Sequence, residues 1–474
     1  MEQKKMLDYK KLGFKCGIEI HQQLETHKLF CSCPSIVHDN NPDIIVKRKL
    51  RAVAGETGEV DLAAAYEQSK NKTFVYEACS TSSCLVELDE EPPHNVNKEA
   101  LDIVLEIALL LNAKILDQIQ IMRKTVIDGS NVSGFQRTML VAVNGYINTS
   151  KGKVRIPTIC LEEEAAKKIE TGNNFVKYRL DRLGIALVEI GTAPDIKSPE
   201  HAKEVAETLG MILRSTGKVK RGIGSIRQDV NVSISKGSRV EIKGFQDLKS
   251  IPLVIENEVK RQLKSVVKEE VRKAKPDGTT EYLRPMPGAA RMYPETDVDP
   301  IIITKEHLSS IQLPELLTEK ALRFEKDYNL NPELAKEIVK KGINFELYVK
   351  QFSNLKPLFI ATVLTVYPKE IRNKFNIEIE KFKPEHFNEV LSYVNTDKVS
   401  KEGVIDILAA LVSGKKIDLN KFKAVDEKDL VKSLKKIIKE NKGASLNALM
   451  GEAMKLYRGK VDGKKIMSLL RSLL

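Results

Sequence analysis

The stretch Gly17-Ile18-Glu19-Ile20-His21-Gln22-Gln23 alternates polar and apolar side chains. In an extended strand neighbouring side chains point to opposite faces, so Glu19, His21 and Gln23 share one face and Ile18 and Ile20 the other. The pattern returns three times. Glu189 stands between Val188 and Ile190; Asp229, Asn231 and Ser233 alternate with Val230, Val232 and Ile234; Glu241 and Lys243 sit beside Val240 and Ile242. Any one such strand is explained by a face turned to water. Acids are poor strand formers compared with Thr or Tyr, however, and their recurrence points to function. If these strands share a sheet, its acids repel by roughly 4 kcal/mol per pair at about 4 Å and an effective dielectric of about 20. A bound cation is the simplest relief.

A chain of 474 residues with 42% hydrophobic and 30% charged residues is globular and long enough for about three domains. No apolar run reaches bilayer-spanning length, and the N-terminus Met1-Glu-Gln-Lys-Lys5 lacks a secretory core, so a cytoplasmic protein is expected. The net charge is +12, and residues 421–474 alone carry 14 Lys and Arg against 6 Asp and Glu. Such a tail suits a polyanion, nucleic acid before membrane; a solvated Lys-rich helix is the alternative. Six cysteines in a long intracellular chain are not expected to form disulfides. Cys31-x-Cys33 and Cys79-x4-Cys84 could together make a four-thiolate zinc site, with ordinary thiols as the alternative.

The organisation reads as α+β. Strand patterns fall near 17–24, 139–147, 153–161, 185–191, 228–235 and 239–243, and helical ones at 98–113, 199–216 and 251–274. After Pro300 the spacing is helical almost throughout, with segments at 305–328, 331–341, 355–365, 384–394, 401–413 and 429–440. Asn331-Pro332-Glu333 is a helix cap with proline at the first position. The expected domains are 1–300, a mixed or antiparallel-sheet head; 301–424, all-α; and 425–474, a small basic helical tail.

Cys160-Leu-Glu-Glu-Glu164 follows a strand-like run and would deliver acids to the rim of a sheet. That placement makes Glu163 a candidate metal ligand beside His21 and Glu189. Arg227 and Lys243 are the cations nearest these acids in sequence and could neutralise phosphate oxygens. There is no G-x-x-x-x-G-K-[ST] loop, so a nucleotide must be held by another device.

Gly17–Leu24, Lys28-Leu-Phe-Cys31, Leu161-Glu-Glu-Glu164, Leu187-Val-Glu-Ile190 with Pro194-Asp195, Gly224-Ser-Ile-Arg-Gln-Asp-Val-Asn231, Val240-Glu-Ile-Lys243 and Arg291-Met-Tyr-Pro-Glu-Thr-Asp297 together resemble the GatB/GatE family of tRNA-dependent amidotransferase subunits. Arg284-Pro-Met-Pro-Gly-Ala-Ala-Arg291, Arg123–Asn131 and Leu88–His94 resemble its archaeal members most. The likeness covers nearly the whole chain. It implies an ATP- and magnesium-dependent enzyme that phosphorylates the side chain of glutamate mischarged onto tRNA(Gln) and then amidates it.

By that resemblance His21, Glu163 and Glu189 match magnesium ligands, and Glu19, Asp229 and Glu241 match acids around a second metal position. His21, Glu19, Glu163 and Glu189 would be the catalytic set, with Arg227, Lys243 and Arg291 binding the nucleotide. An asparaginase-like amidase partner would supply ammonia, in a heterodimer or heterotetramer. The tail would grip tRNA through Lys435, Lys436, Lys439, Lys442, Lys455, Arg458, Lys460, Lys464 and Lys465. Archaeal members usually carry an inserted domain resembling part of bacterial aspartyl-tRNA synthetase, which would fall between Leu263 and Pro276; about a dozen residues join those points here. The rival readings are a tRNA-binding scaffold without catalysis and a metal-dependent RNA phosphodiesterase.

Overall fold

A computed structural model describes residues 7–38, 41–55, 58–245, 247–288, 291–423, 425, 427–457 and 460–474. It divides into two compact units, Met1–Leu316 and Leu317–Leu474.

The first unit is built on an eleven-stranded mixed sheet. At its centre the strand Lys15–Gln23 pairs antiparallel with Ala186–Gly191 on one side and Ile226–Ser233 on the other. Gly152–Glu163 and then Phe135–Thr149 follow beyond Ala186–Gly191, and Val240–Phe245 follows beyond Ile226–Ser233. The alternation read from the sequence sorts the two faces. Ile18, Ile20, Val188, Ile190, Val230, Val232, Val240 and Ile242 are all buried in one core cluster. The helices Lys98–Leu110, Pro199–Ser215 and Ile251–Lys264 pack against this rear face. Burying each such side chain contributes about 1.5–3 kcal/mol, so a one-residue slip of any of these strands would be heavily penalised. The register that aligns the acids is thus fixed by the grease behind them.

A separate four-stranded sheet, of Ile44–Arg48, Thr73–Ala78, Phe175–Arg179 and Lys167–Thr171, has its own small core around Phe74, Tyr76, Val176 and Tyr178.

Three boundaries differ from the sequence reading. The helix expected over 251–274 stops at Lys264; Ser265 is extended, Val266-Val267 follows, and Glu270–Ala274 is a strand running parallel to Val240–Phe245. That strand turns through Asp277-Gly278 into Thr280–Pro285, with Gly278 at φ +80° and Asp277 Oδ1 accepting from Thr279 N at 2.9 Å. The segment expected as one helix over 305–328 is two, Lys305–Ser310 and Leu317–Tyr328, with Pro314 between them. Finally, the chain stays with the first unit past residue 300. Ile301–Ile302 pairs with Gln118–Ile119, and His307 Nε2 lies 2.6 Å from Asp102 Oδ1.

The second unit is helical. Helices from Leu317–Tyr328 to Val404–Val412 enclose a core that includes Phe324, Phe345, Ile360, Leu391 and Leu408. Glu427–Glu440, Leu446–Tyr457 and Gly463–Leu473 share a smaller core of Leu430, Leu434, Leu449, Ile466 and Leu470. Among the described residues no helix is long and apolar enough to cross a membrane.

Candidate active site

The front face of the large sheet, opposite the helices, opens into a cavity of about 710 Å³. Pairing register brings the acids into two groups. His21 stands opposite Glu189, and Glu19 opposite Asp229, so the central strand contributes one residue to each group, two positions apart. His21, Glu162 and Glu189 offer ligand atoms within 4.8 Å of one another, and so do Glu19, Asp229 and Glu241.

Each group carries its own lysine. Lys124 Nζ, from the strand Ile121–Thr125, lies 2.6 Å from Glu162 Oε1 and 3.9 Å from Glu189 Oε2. Lys243 Nζ lies 2.6 Å from Asp229 Oδ2 and also pairs with Glu241. Asn231 Nδ2 donates to Glu19 Oε1 at 3.1 Å. With every carboxylate ionised and His21 neutral, each group still keeps net negative charge after its lysine is counted. A divalent cation is the natural complement.

The proton affinities follow from this crowding. Burial, and then the charges of Glu241 and Glu189, push Glu19 up. Burial and the neighbouring Glu189 likewise raise Glu162. Burial pulls the imidazole of His21 down, but the hydrogen bond and charge of Glu189, with Asp229 and Glu162, outweigh it and raise its pKa. For Glu189 burial pushes upward, and Lys124 and His21 reverse the balance to hold it well below the usual carboxylate range. Desolvation opposes the charge on Lys243, yet Asp229, Glu241 and Glu19 keep it firmly protonated.

Glu163 does not join the ligand group. Cys160 is the residue opposite Glu189, and Glu162, two residues further, shares its face; Glu163 therefore turns to the other side. Its carboxylate accepts from Arg137 N at 2.9 Å and Arg137 Nη1 at 3.3 Å, and Arg137 Nε reaches Glu295 at 2.8 Å. Glu162 takes the place expected for it.

The nucleotide-binding cations also divide. Arg227 lines the cavity but donates to Glu164, Nη2 to Oε1 at 2.9 Å, and Gln23 holds the other carboxylate oxygen. Lys243 is engaged with acids, as described. Arg291 lines the cavity without a hydrogen bond or ion pair among the described residues, and Arg284 is in the same position with its Nε buried and unpartnered. Among the described residues Arg239, which is exposed, also lines the cavity without a side-chain partner, so three guanidinium groups are available to an incoming anion.

The thiols regroup as well. Cys31, Cys33 and Cys84 converge with Glu87, all four ligand atoms within 4.8 Å of one another. Cys79 is not part of the cluster; burial, followed by the Asp181 carboxylate, raises its thiol. Glu87 is held by the buried Lys28 at 3.4 Å, accepts from the Cys31 thiol at 2.9 Å and from Cys84 N at 2.7 Å. In the tail Lys435, Lys436, Lys439, Lys442, Lys455, Lys464 and Lys465 are exposed and Lys460 is half-buried, while Arg458 lies outside the described residues.

Comparison with known proteins places this cavity. Residues 14–309 match the GatB/GatE catalytic domain, and residues 344–474 match the GatB domain. The chain belongs to the GatB/GatE family. Similar proteins are the E-type subunits of two archaeal glutamyl-tRNA(Gln) amidotransferases. That of Methanocaldococcus jannaschii is 40% identical, with 98% of this chain and 99% of that protein covered, and that of Methanosarcina barkeri is 39% identical, with 98% of each covered. The protein of the same name from Archaeoglobus fulgidus is 38% identical with 99% of each covered. The alignment to the Methanocaldococcus jannaschii protein runs over 623 positions although this chain has 474 residues, so that relative carries sequence with no counterpart here. Both acid groups, Lys124, Arg284 and Arg291 fall inside the catalytic-domain segment of this GatB/GatE member.

The sequence reading missed Glu162, Lys124, Arg284 and Glu87. Strand phase could have found Glu162, since Ile159 and Leu161 mark the core-facing positions of an alternation that puts Glu162, not Glu163, on the opposite face. Lys124 had no such signal; only the fold brings it to Glu162.

Proposed function

We infer that this chain is the subunit of a tRNA-dependent amidotransferase that activates and amidates the glutamate side chain of misacylated glutamyl-tRNA(Gln). The observation that carries this reading is the pair of acid groups flanking one central strand, each with its own lysine, in a cavity also lined by three arginines without a side-chain partner among the described residues. A carboxylate is a poor acyl donor until one of its oxygens becomes part of a phosphate leaving group. In the proposed sequence a glutamate oxygen attacks the terminal phosphorus of ATP, the bond to the bridging oxygen breaks and ADP departs. Ammonia then attacks the acyl carbon, the C–O bond to phosphate breaks, and a proton is lost as the amide forms.

The residues have separable duties. Arg291 would neutralise phosphate oxygens. Lys124 and Lys243 keep the acids from repelling one another before substrate arrives. His21 fixes the orientation of Glu189 through its 3.1 Å contact. The oxygen-rich donors Glu19, Asp229 and Glu241 fit magnesium, and Glu162 and Glu189 with His21 form a second, mixed set. Bound there, magnesium would supply charge neutralisation of the phosphate oxygens. Ammonia would come from an asparaginase-like amidase in a hetero-oligomer, and the exposed lysines of the tail would hold the tRNA backbone.

Mixing this chain with such an amidase, glutamyl-tRNA(Gln), ATP, magnesium and glutamine should yield glutaminyl-tRNA(Gln), and omission of any component should stop it. Product formed without ATP would set the reading aside.

The three thiols beside Glu87 suit zinc, whose sites are built from thiolate, imidazole and carboxylate ligands. Burial, then the Glu87 carboxylate, raise the Cys84 thiol to about 11, so metal binding would release protons. Metal analysis should find zinc lost in Cys84→Ser and kept in Cys79→Ser; equal zinc in both would remove the cluster from consideration.

A further inference from the structure

Beside the catalytic cavity lies an annex of about 280 Å³. Asp128, Lys243 and Arg284 line both spaces, so the two adjoin at these three side chains. The annex wall is apolar: Phe74 and Val176 come from the small four-stranded sheet, and Leu283, 41% exposed, from the strand Thr280–Pro285. The part of the lining that the cavity does not share also holds Lys70, Lys72 and Lys168, with Glu67. Lys70 is paired with Glu67 at 2.7 Å; Lys72 has no acid partner among the described residues. At the inner end the buried Arg284 Nε is a donor without an acceptor.

We propose that this annex seats the terminal nucleoside of the single-stranded 3′ end of the RNA substrate, with Lys72 and Lys168 carrying the phosphates behind it. The assignment rests on the function inferred above and says where that substrate lies. From the acidic cavity the shared lining passes the orphan guanidinium to a space that holds an apolar wall and lysines the cavity does not touch. A charged 3′ end presents the matching order: a reactive acyl group, a ribose with hydrogen-bond acceptors for Arg284, a flat base, and a trailing anionic backbone. Stacking a base on apolar or aromatic side chains while lysines follow the backbone is how single strands are generally held.

ATP fits this order in reverse. Its phosphates would have to enter first to reach the acid groups, and nothing anionic would remain for the lysines that line the annex alone. The size agrees, since 280 Å³ falls just under the range of roughly 300–1,000 Å³ that whole small-molecule ligands occupy. One nucleoside suits it better than a nucleoside triphosphate. A second basic groove, with Lys10, Lys153 and Lys197 beside Tyr9 and Phe14, touches the cavity at Pro194. There Arg155 is already committed to Asp195 at 2.8 and 2.9 Å, and no buried donor is left without a partner among the described residues.

The test uses the full chain and glutamyl-tRNA(Gln) ending in a photoreactive azidoadenosine. Crosslinks are expected on the peptides that hold Lys168 and Leu283. Crosslinks on the Lys10 or Lys153 peptides would move the strand to the other groove and overturn the proposal while leaving the inferred function in place. Lys72→Glu and Leu283→Trp alter half-exposed side chains, and each should raise the Kd for aminoacyl-tRNA on the order of tenfold while the KM for ATP stays within about twofold. A raised KM for ATP with unchanged tRNA affinity would give the annex to the nucleotide instead. Absence of both RNA crosslinking and ATP turnover in the unaltered chain would remove the function itself, and this assignment with it.

Discussion

Lysine is used in two opposite ways in this protein. In the front cavity Lys124 and Lys243 are largely enclosed and each contacts two carboxylates. In the tail Lys435, Lys439 and Lys464 stand exposed on helices whose core lies on the other side, and Lys442 is exposed in the turn after the first of these helices. Burial makes the difference. An enclosed lysine must be neutralised within the protein, because an unpaired charge there is costly, whereas an exposed one is solvated and remains available to a polyanion. The same side chain is structural in one place and adhesive in the other.

The largest effect should come from removing an acid on which the cavity depends. Glu189→Gln leaves shape and volume nearly unchanged, and amidation by the reconstituted enzyme should fall by about 10²–10³-fold while tRNA affinity holds. Near-normal turnover would exclude Glu189 from the chemistry.

The comparison of lysines is sharpened by removing one of each kind. Lys243→Met leaves Glu19, Asp229 and Glu241 without their cation, and thermal unfolding should show a loss of about 2–4 kcal/mol, partly restored by millimolar magnesium. Lys439→Met should change stability by less than about 0.5 kcal/mol. Replacing Lys435, Lys439, Lys442 and Lys464 together by Ala should instead flatten the salt dependence of tRNA binding, by a slope of roughly 0.7–0.9 for each phosphate no longer neutralised. Equal stability losses at Lys243 and Lys439 would break the distinction.

A smaller effect is expected from pH. Glu19, Glu162 and His21 all have raised pKa values, so they take up protons at higher pH than isolated side chains do. Ligands must be deprotonated to hold a metal, so magnesium affinity should fall as the pH drops, and the fall should begin above the pH at which an isolated imidazole or carboxylate takes up its proton. Titration calorimetry at two pH values should show weaker binding and greater proton release at the lower one; pH-independent binding would argue that these groups are not the ligands.

Much of this was readable in the chain. Wherever an acid alternates with Ile or Val, as in Glu19–Ile20–His21 and Asp229–Val230–Asn231, the buried side dictates the exposed one, and the cavity face follows. Legibility ended where that constraint weakened. In Glu162-Glu163-Glu164 three identical side chains carry no phase of their own, so it must be taken from Ile159 and Leu161 before them, and the pairing of Cys160 with Glu189 fixes it. Glu87 carries no thiol to mark it as a member of the cysteine cluster, and Cys79 lies near Cys84 along the chain but outside the cluster in space. The strand Glu270–Ala274 was hidden by the charged helix before it, since Glu, Arg and Lys suit either conformation. Lys124 needs a neighbour 38 positions away in sequence, which no local pattern reveals.

The two enclosed ammonium groups have one more consequence. Because the acid-lined cradle brings its own counter-charges, it can remain assembled between catalytic cycles with no metal present. Long unbranched arms can swing aside when a divalent ion arrives, and the strands beneath need not move. Chelation should therefore silence this enzyme reversibly and leave it folded, ready to resume when the ion returns.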